Sequence, residues 1–176
     1  MTNHLNDILF GPVAGDAGCF LTLQGGETEI SFSLFCARAS QMAHSLEAHG
    51  VVAGDRVLVQ APKCPEMLML YAAVVQVGGV FLPLNTGYTL DEVTYFAEDA
   101  TPRLIICDPK NINEMKTLAE SLEADVLTLA QDGGGILTQH SGTHSTEFTA
   151  VPRGPDDLAA MLYTSGTTGR SKGAML

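Results

Sequence analysis

Arg56-Val57-Leu58-Val59-Gln60, then Pro65 to Val77, then Val80-Phe81-Leu82-Pro83-Leu84 is the stretch that decides the fold class. Two short apolar runs rich in branched residues read as strands, and the segment between them is apolar nearly all round. Pro65 suits the first position of a helix and Glu66 favours its N-terminus, so a helix buried on most sides is predicted to about Val77. Gly78-Gly79 ends it, and Pro83 marks the end of the second strand or an edge position.

The same alternation continues downstream. Thr89 to Glu92 has the form of a capping box, predicting a helix from Leu90 to about Asp99 that Pro102 closes. Arg103 to Cys107 reads as a third strand, Asp108-Pro109 as the cap and first turn of a helix to about Glu123, and Asp125 to Leu129 as a fourth strand. The apolar run Leu158 to Leu162 reads as a buried fifth strand. Upstream, residues 1 to 17 are polar and Gly-rich, with one helical turn over Asn6 to Phe10. Cys19 to Leu23 and Thr28 to Phe32 then flank a glycine turn as a β-hairpin. Phe35, Ala39, Met42, Ala43 and Leu46 lie at helical spacing between Ser33 and His49, before Gly50. The expected class is α/β: a largely parallel sheet with flanking helices plus an N-terminal β-hairpin. Residues 131 to 156 lack periodicity and are rich in Gly, Ser, Thr, His and Asp, so they read as a long, mobile surface connection.

Composition narrows the function. The chain has 176 residues, 45% hydrophobic content and a net charge of −11, which suits one cored domain and argues against nucleic acid or an anionic membrane surface as partner. Four scattered cysteines, Cys19, Cys36, Cys64 and Cys107, form no C-x-x-C pair and read as reduced core thiols, in keeping with the cytoplasm. No leader is apparent at the N-terminus, and the longest apolar run, Met67 to Val75, is too short to span a bilayer. His140 and His144 stand four apart but in a loop, so no metal site is assigned. Met67, Met69 and Tyr71 read as core, Asn85 and Tyr88 as a turn, and Asp156-Asp157 as a solvated turn.

Chemistry concentrates in Tyr163-Thr164-Ser165-Gly166-Thr167-Thr168-Gly169-Arg170-Ser171-Lys172-Gly173. Gly166 and Gly169 let backbone approach an anion, the hydroxyls of Thr164, Ser165, Thr167 and Thr168 donate hydrogen bonds, and Lys172 adds a mobile charge. From Leu158 to Leu176 the ionisable side chains besides Tyr163 are Arg170 and Lys172, a cationic island on an acidic protein. The spacing is not that of G-x-x-x-x-G-K-[ST], nor of G-x-G-x-x-G. On residue types alone, a phosphate-binding loop competes with an ordinary flexible Ser/Thr/Gly turn. A position beyond the carboxyl end of a parallel strand favours the phosphate loop.

The string Y-T-S-G-T-T-G-x-x-K-G resembles the ATP phosphate-binding signature of adenylate-forming enzymes: acyl-CoA synthetases, luciferases and peptide synthetase adenylation domains. Ser171 before Lys172, where most members carry proline, and Pro83-Leu84-Asn85-Thr86-Gly87-Tyr88-Thr89 narrow the resemblance to the malonyl-CoA synthetase branch. The resemblance implies activation of a small carboxylate, with malonate the first choice, through an acyl-adenylate to the coenzyme A thioester, with ATP, magnesium and coenzyme A as co-substrates or cofactor. It implies nucleotide contacts at Thr164, Ser165, Gly166, Thr167, Thr168, Gly169 and Lys172, with Arg170 and Ser171 beside them and Lys172 and Thr167 as the catalytic pair. A ligase for another carboxylic acid, an amino-acid adenylation domain, and a short protein that binds ATP or a partner without chemistry are the alternatives. Residues 1 to 176 are expected to form the N-terminal part of the large AMP-binding domain, without the later motifs that hold adenine, magnesium and ribose. Such a piece is expected to be inactive alone and to self-associate through exposed sheet edges. Its phosphate loop is expected to be poorly ordered without nucleotide.

Overall fold

The computed structural model describes residues 2–23, 25–26, 28–164 and 172–176. Its centre is a four-stranded parallel sheet of β3 (Arg56–Gln60), β4 (Val80–Pro83), β5 (Leu104–Cys107) and β6 (Asp125–Thr128). The strands lie in the order β4-β3-β5-β6. Pro83 is the last residue of β4, at the rim of this sheet, where its missing N–H costs no ladder bond. Register is set by the period of two. Val57, Val59, Leu104 and Ile106 face one core, and Leu58, Leu82, Ile105 and Cys107 face the other.

Helices cover both faces. On the first lie α2 (Phe32–Ala48) and α3 (Pro65–Gln76), which bury Ala39, Met42, Leu46, Met69 and Leu70. On the second lie α4 (Leu90–Ala100) and α5 (Ile112–Leu122), which bury Val93, Phe96, Met115 and Leu118. Each helix begins where its chemistry allows. The Thr89 hydroxyl and Glu92 carboxylate complete the capping box of α4, and the Ser31 hydroxyl accepts from the Leu34 amide at α2. Arg56 donates to the carbonyls of Ala100 and Thr101, both at 2.6 Å, so the first residue of β3 satisfies the C-terminal end of α4. Asp108-Pro109 opens a single 3-10 turn, Pro109–Asn111, before α5.

The N-terminal segment adds α1 (His4–Leu9) and an antiparallel hairpin of β1 (Cys19–Thr22) and β2 (Glu29–Ser31), with a register shift between Cys19 and Leu21. Cys36 and Cys107 are buried, whereas Cys64 is half-buried and Cys19 exposed, so the expectation of core thiols fails at Cys19; all four are free. Burial pushes the Cys107 thiol up to about 12 and that of Cys64 up to about 11.

Residues 131 to 156 depart from expectation. They are a packed strap that contains a short helix, α6 (Ile136–Ser141), whose Leu137 is fully buried against the first core. Gly135, at φ +137°, makes this possible: a Cβ there would lie 2.3 Å from the Thr128 carbonyl oxygen. The strap then crosses α2 and α3. Gln41 donates to the His144 carbonyl at 3.1 Å, the Val151 amide donates to Gln76, and Asn3 Nδ2 donates to the carbonyls of Val75 and Val151. One buried anchor and a series of backbone bonds leave no hydrophobic period to read.

Ile106 sits in the middle of the sheet with no exposure, so Ile106→Ala is expected to cost about 2–5 kcal/mol. Urea unfolding of the intact protein checks this: the midpoint falls while the slope stays unchanged, and an unmoved midpoint would place Ile106 outside the core.

Candidate functional site

The segment from Leu158 to Leu176 builds an antiparallel hairpin of β7 (Met161–Thr164) and β8 (Lys172–Met175). Its register opposes Met161 to Met175, Leu162 to Ala174, Tyr163 to Gly173, and Thr164 to Lys172. Backbone bonds tie its base to the parallel sheet. The Phe81 amide of β4 donates to the Ala159 carbonyl at 2.9 Å, and Leu176 exchanges bonds with Ala159 and Ala160. The expected buried strand over Leu158 to Leu162 is therefore displaced. Leu158 to Ala160 form the joint, while the strand itself begins at Met161 and alternates between half-buried and exposed residues.

The alternation has a physical cause. Met161 and Tyr163 pack towards the α4–α5 core, while Leu162 and Thr164 are exposed. The Tyr163 ring lies 4.4 Å from Phe96, which also meets Tyr88 at 5.1 Å, and the Tyr163 hydroxyl donates to Asp99 Oδ2 at 2.5 Å. Burial first, and then the neighbouring carboxylate, push the phenol well above its ordinary value, which keeps it a neutral donor. Gly173, opposite Tyr163, leaves room for the neighbouring Met161 side chain: a Cβ there would come 3.3 Å from it.

Of the residues singled out from the sequence, Thr164 is the exposed last residue of β7 and Lys172 the first of β8, paired across the hairpin. Ser165, Gly166, Thr167, Thr168, Gly169, Arg170 and Ser171 lie outside the described residues, as does the expectation about loop order. The register holds both ends of this seven-residue segment at paired positions, so the entropy of bringing its ends together is already met by the hairpin. No carboxylate lies between Thr164 and Lys172. The donor set suits an anion.

The support of the loop is an antiparallel hairpin, which the sequence alone does not lead one to expect. The loop springs from a hairpin that lies outside the four-stranded sheet and rests on α4, yet whose base at Ala160 forms a parallel bridge to Phe81 of the edge strand β4. Chain direction across that sheet reverses between β3 and β5, where a cleft of about 220 Å³ is lined by Gln60, Thr86, Asp108, Lys110 and Asn111. Next to it, a cleft of about 500 Å³ opens at the ends of β3 and β4 between Val59, Lys63, Met67, Phe81 and Asn85. Gln60 Nε2 donates to the carbonyls of Asn85 and Tyr88, both at 3.1 Å, so the turn that Asn85 and Tyr88 form is also the wall of these clefts. Gln60, Lys63 and Lys110 were not singled out from the sequence. Their places, Gln60 at the end of β3 and Lys63 and Lys110 soon after strand ends, were the available signal. His140 stacks on His49 and His144 lies beside His44, in separate pairs, and among the described residues no three His, Cys, Asp or Glu side chains gather. Among those residues no helix is long and apolar enough to cross a membrane.

A family described as AMP-binding enzyme matches residues 14–176. Tyrocidine synthase 2 of Brevibacillus parabrevis is 32% identical over 151 residues, 86% of this chain and 4% of its own length. The 3-hydroxybenzoate–CoA ligase of Aromatoleum sp. (strain CIB) is 28% identical over 177 residues, 98% of this chain and 34% of its own. Among solved structures, apo and ATP-bound MatB from Rhodopseudomonas palustris share 45% identity and a TM-score of 0.95, covering 100% of this chain and 35% of theirs. The chain thus spans about a third of the length of this ligase and of MatB.

Tyr163→Phe is expected to cost about 1 kcal/mol at neutral pH by removing one hydrogen bond. Because the folded phenol titrates above the unfolded one, its contribution is present below about pH 10 and lost as pH rises further. The variant's unfolding midpoint is therefore expected to approach that of the parent in alkali, and a constant gap between pH 8 and 11 would contradict the assignment.

Proposed function

This chain belongs to the AMP-binding enzyme family, and we propose that it supplies the ATP phosphate-binding hairpin of an acid–thiol ligase that activates malonate. The observation that carries the reading is the likeness over the whole chain, at 45% identity, to MatB, a malonyl-CoA synthetase with an ATP-bound form. In this reading residues 1 to 176 are the N-terminal part of the large AMP-binding domain. The segment Pro83 to Thr89 and Ser171 before Lys172 support the same branch.

The chemical demand is electrostatic. When the carboxylate attacks the α-phosphorus, the bond to pyrophosphate breaks and negative charge collects on the β- and γ-phosphate oxygens. The hydroxyls of Thr164, Ser165, Thr167 and Thr168 and the amides around Gly166 and Gly169 donate to those oxygens. The Lys172 ammonium adds a full charge, and Arg170 and Ser171 border the same site. Lys172 and Thr167 bear on the departing group. Magnesium, when bound, neutralises phosphate charge; the described residues bring together no carboxylate cage for it. The thiol of coenzyme A then displaces AMP from the acyl carbon, and nothing in this chain is assigned to that step.

A second reading, a ligase for an aromatic acid, is favoured by the curated hydroxybenzoate ligase that the chain resembles at lower identity. AMP release by the intact protein with ATP, coenzyme A and either acid decides between them. Malonate is expected to give at least about tenfold higher kcat/KM, and a preference for 3-hydroxybenzoate would replace malonate. Lys172→Met in the intact protein is expected to lower kcat/KM for ATP by at least about a hundredfold with unchanged circular dichroism. Parent-like kinetics would remove the phosphate role. The isolated 176-residue chain is expected to release no malonate-dependent AMP.

A further inference from the structure

The β7–β8 hairpin is tied to the rest of the fold in two ways. At its base the ties are backbone bonds: the Phe81 amide donates to Ala159, and Leu176 pairs with Ala159 and Ala160. From Met161 to Thr164 the backbone of β7 pairs with β8, so nearer the loop the strand is located on the fold by side chains. Met161 and Tyr163 pack on the α4–α5 core, and Tyr163 is the outer of the two. Its ring lies on Phe96 and its hydroxyl donates to Asp99 Oδ2. The next residue is Thr164, which faces Lys172 as the closing pair.

Asp99 is poorly explained by its own helix. It is the penultimate residue of α4 and exposed, and a carboxylate in the last turn of a helix is repelled by the negative end of the helix dipole. Aspartate is also among the weaker helix formers. Its backbone, by contrast, is held firmly. Phe96, Ala97 and Ala100 are buried around it, and Arg56 donates to the carbonyls of Ala100 and Thr101. A fixed backbone bearing a side chain that its helix does not favour, bonded to a tyrosine far along the chain, marks an anchor. We propose that Asp99 is a positioning residue for the ATP step: by accepting from Tyr163 it fixes the outer end of β7 and, through it, the closing pair Thr164 and Lys172 that carries the phosphate loop. The proposal rests on the phosphate-binding reading above. Asp99 serves as a hydrogen-bond acceptor and not as a charge, since a negative charge on the support of a phosphate site works against the anion. Displaced donors lose most where charge builds up, in the departure of pyrophosphate, so the role is felt in kcat.

Steady-state kinetics of the intact protein, with ATP, coenzyme A and the acid it prefers, test this on variants checked for parent-like circular dichroism. Asp99→Ala is expected to lower kcat at least about tenfold while KM for the acid stays within about threefold. Tyr163→Phe, which keeps the ring, is expected to show a similar loss, and the two substitutions together no more than either alone. Asp99→Asn, whose amide oxygen still accepts, is expected to recover kcat to within about threefold of the parent. A merely stabilising role would lower the unfolding midpoint and leave kcat of the folded variants unmoved; a role through charge would leave Asp99→Asn as impaired as Asp99→Ala. Either of those results, or losses that multiply in the double variant, would overturn the proposal. Lys172→Met, run alongside, separates the two claims. If it is impaired while Asp99→Ala is parent-like, the positioning role alone falls; if it is itself parent-like, the phosphate reading falls and the role of Asp99 with it.

Discussion

A parallel sheet needs apolar cover on both faces, and that requirement governs the rest of this molecule. Four strands of four or five residues obtain it from α2, α3 and α6 on one side and from α4 and α5 on the other. Each strand alternates between the two cores, so a slip of one residue would exchange them entirely. The position of α4 follows from this constraint, tightened by Arg56 at its C-terminal end. The hairpin in turn depends on α4, because Tyr163 rests on Phe96 and donates to Asp99. Sheet, helix, tyrosine and hairpin thus form one series of dependences that ends at Thr164 and Lys172.

Much of this is legible in the sequence because local and global preferences agree. Arg56–Gln60 matches its expected strand from end to end, Pro65 opens α3, and the Thr89–Glu92 capping box starts α4 at the expected residue. The errors cluster where tertiary contacts override local pattern. The strap over residues 131 to 156 is held by one buried leucine, one glycine conformation and backbone bonds to distant carbonyls, none of which produces a period. Leu158 to Ala160 look like a buried strand because they are apolar, yet they serve as the joint to Phe81, and the strand begins at Met161.

The proposed site is read from the sequence as chemistry, not as geometry. Hydroxyls, glycines and a lysine without an intervening acid are the donor types an anion site requires, and that inventory is read without knowledge of the backbone. What the sequence could not show is the support: an antiparallel hairpin whose closing pair holds the loop's ends together, docked through a neutral tyrosine. Nor could it show Gln60, whose amide orders the turn over Asn85 to Tyr88 beside two clefts, since no local pattern links a strand's last residue to a turn 25 residues later.

The central claim is that the segment between Thr164 and Lys172 grips the β- and γ-phosphates of ATP. Amide hydrogen exchange over the peptide from Tyr163 to Gly173, measured on the intact protein with ATP, pyrophosphate or AMP, tests it most directly. The account predicts slowed exchange with ATP and with pyrophosphate and none with AMP. Equal protection by AMP, or no protection by ATP at saturation, would contradict it.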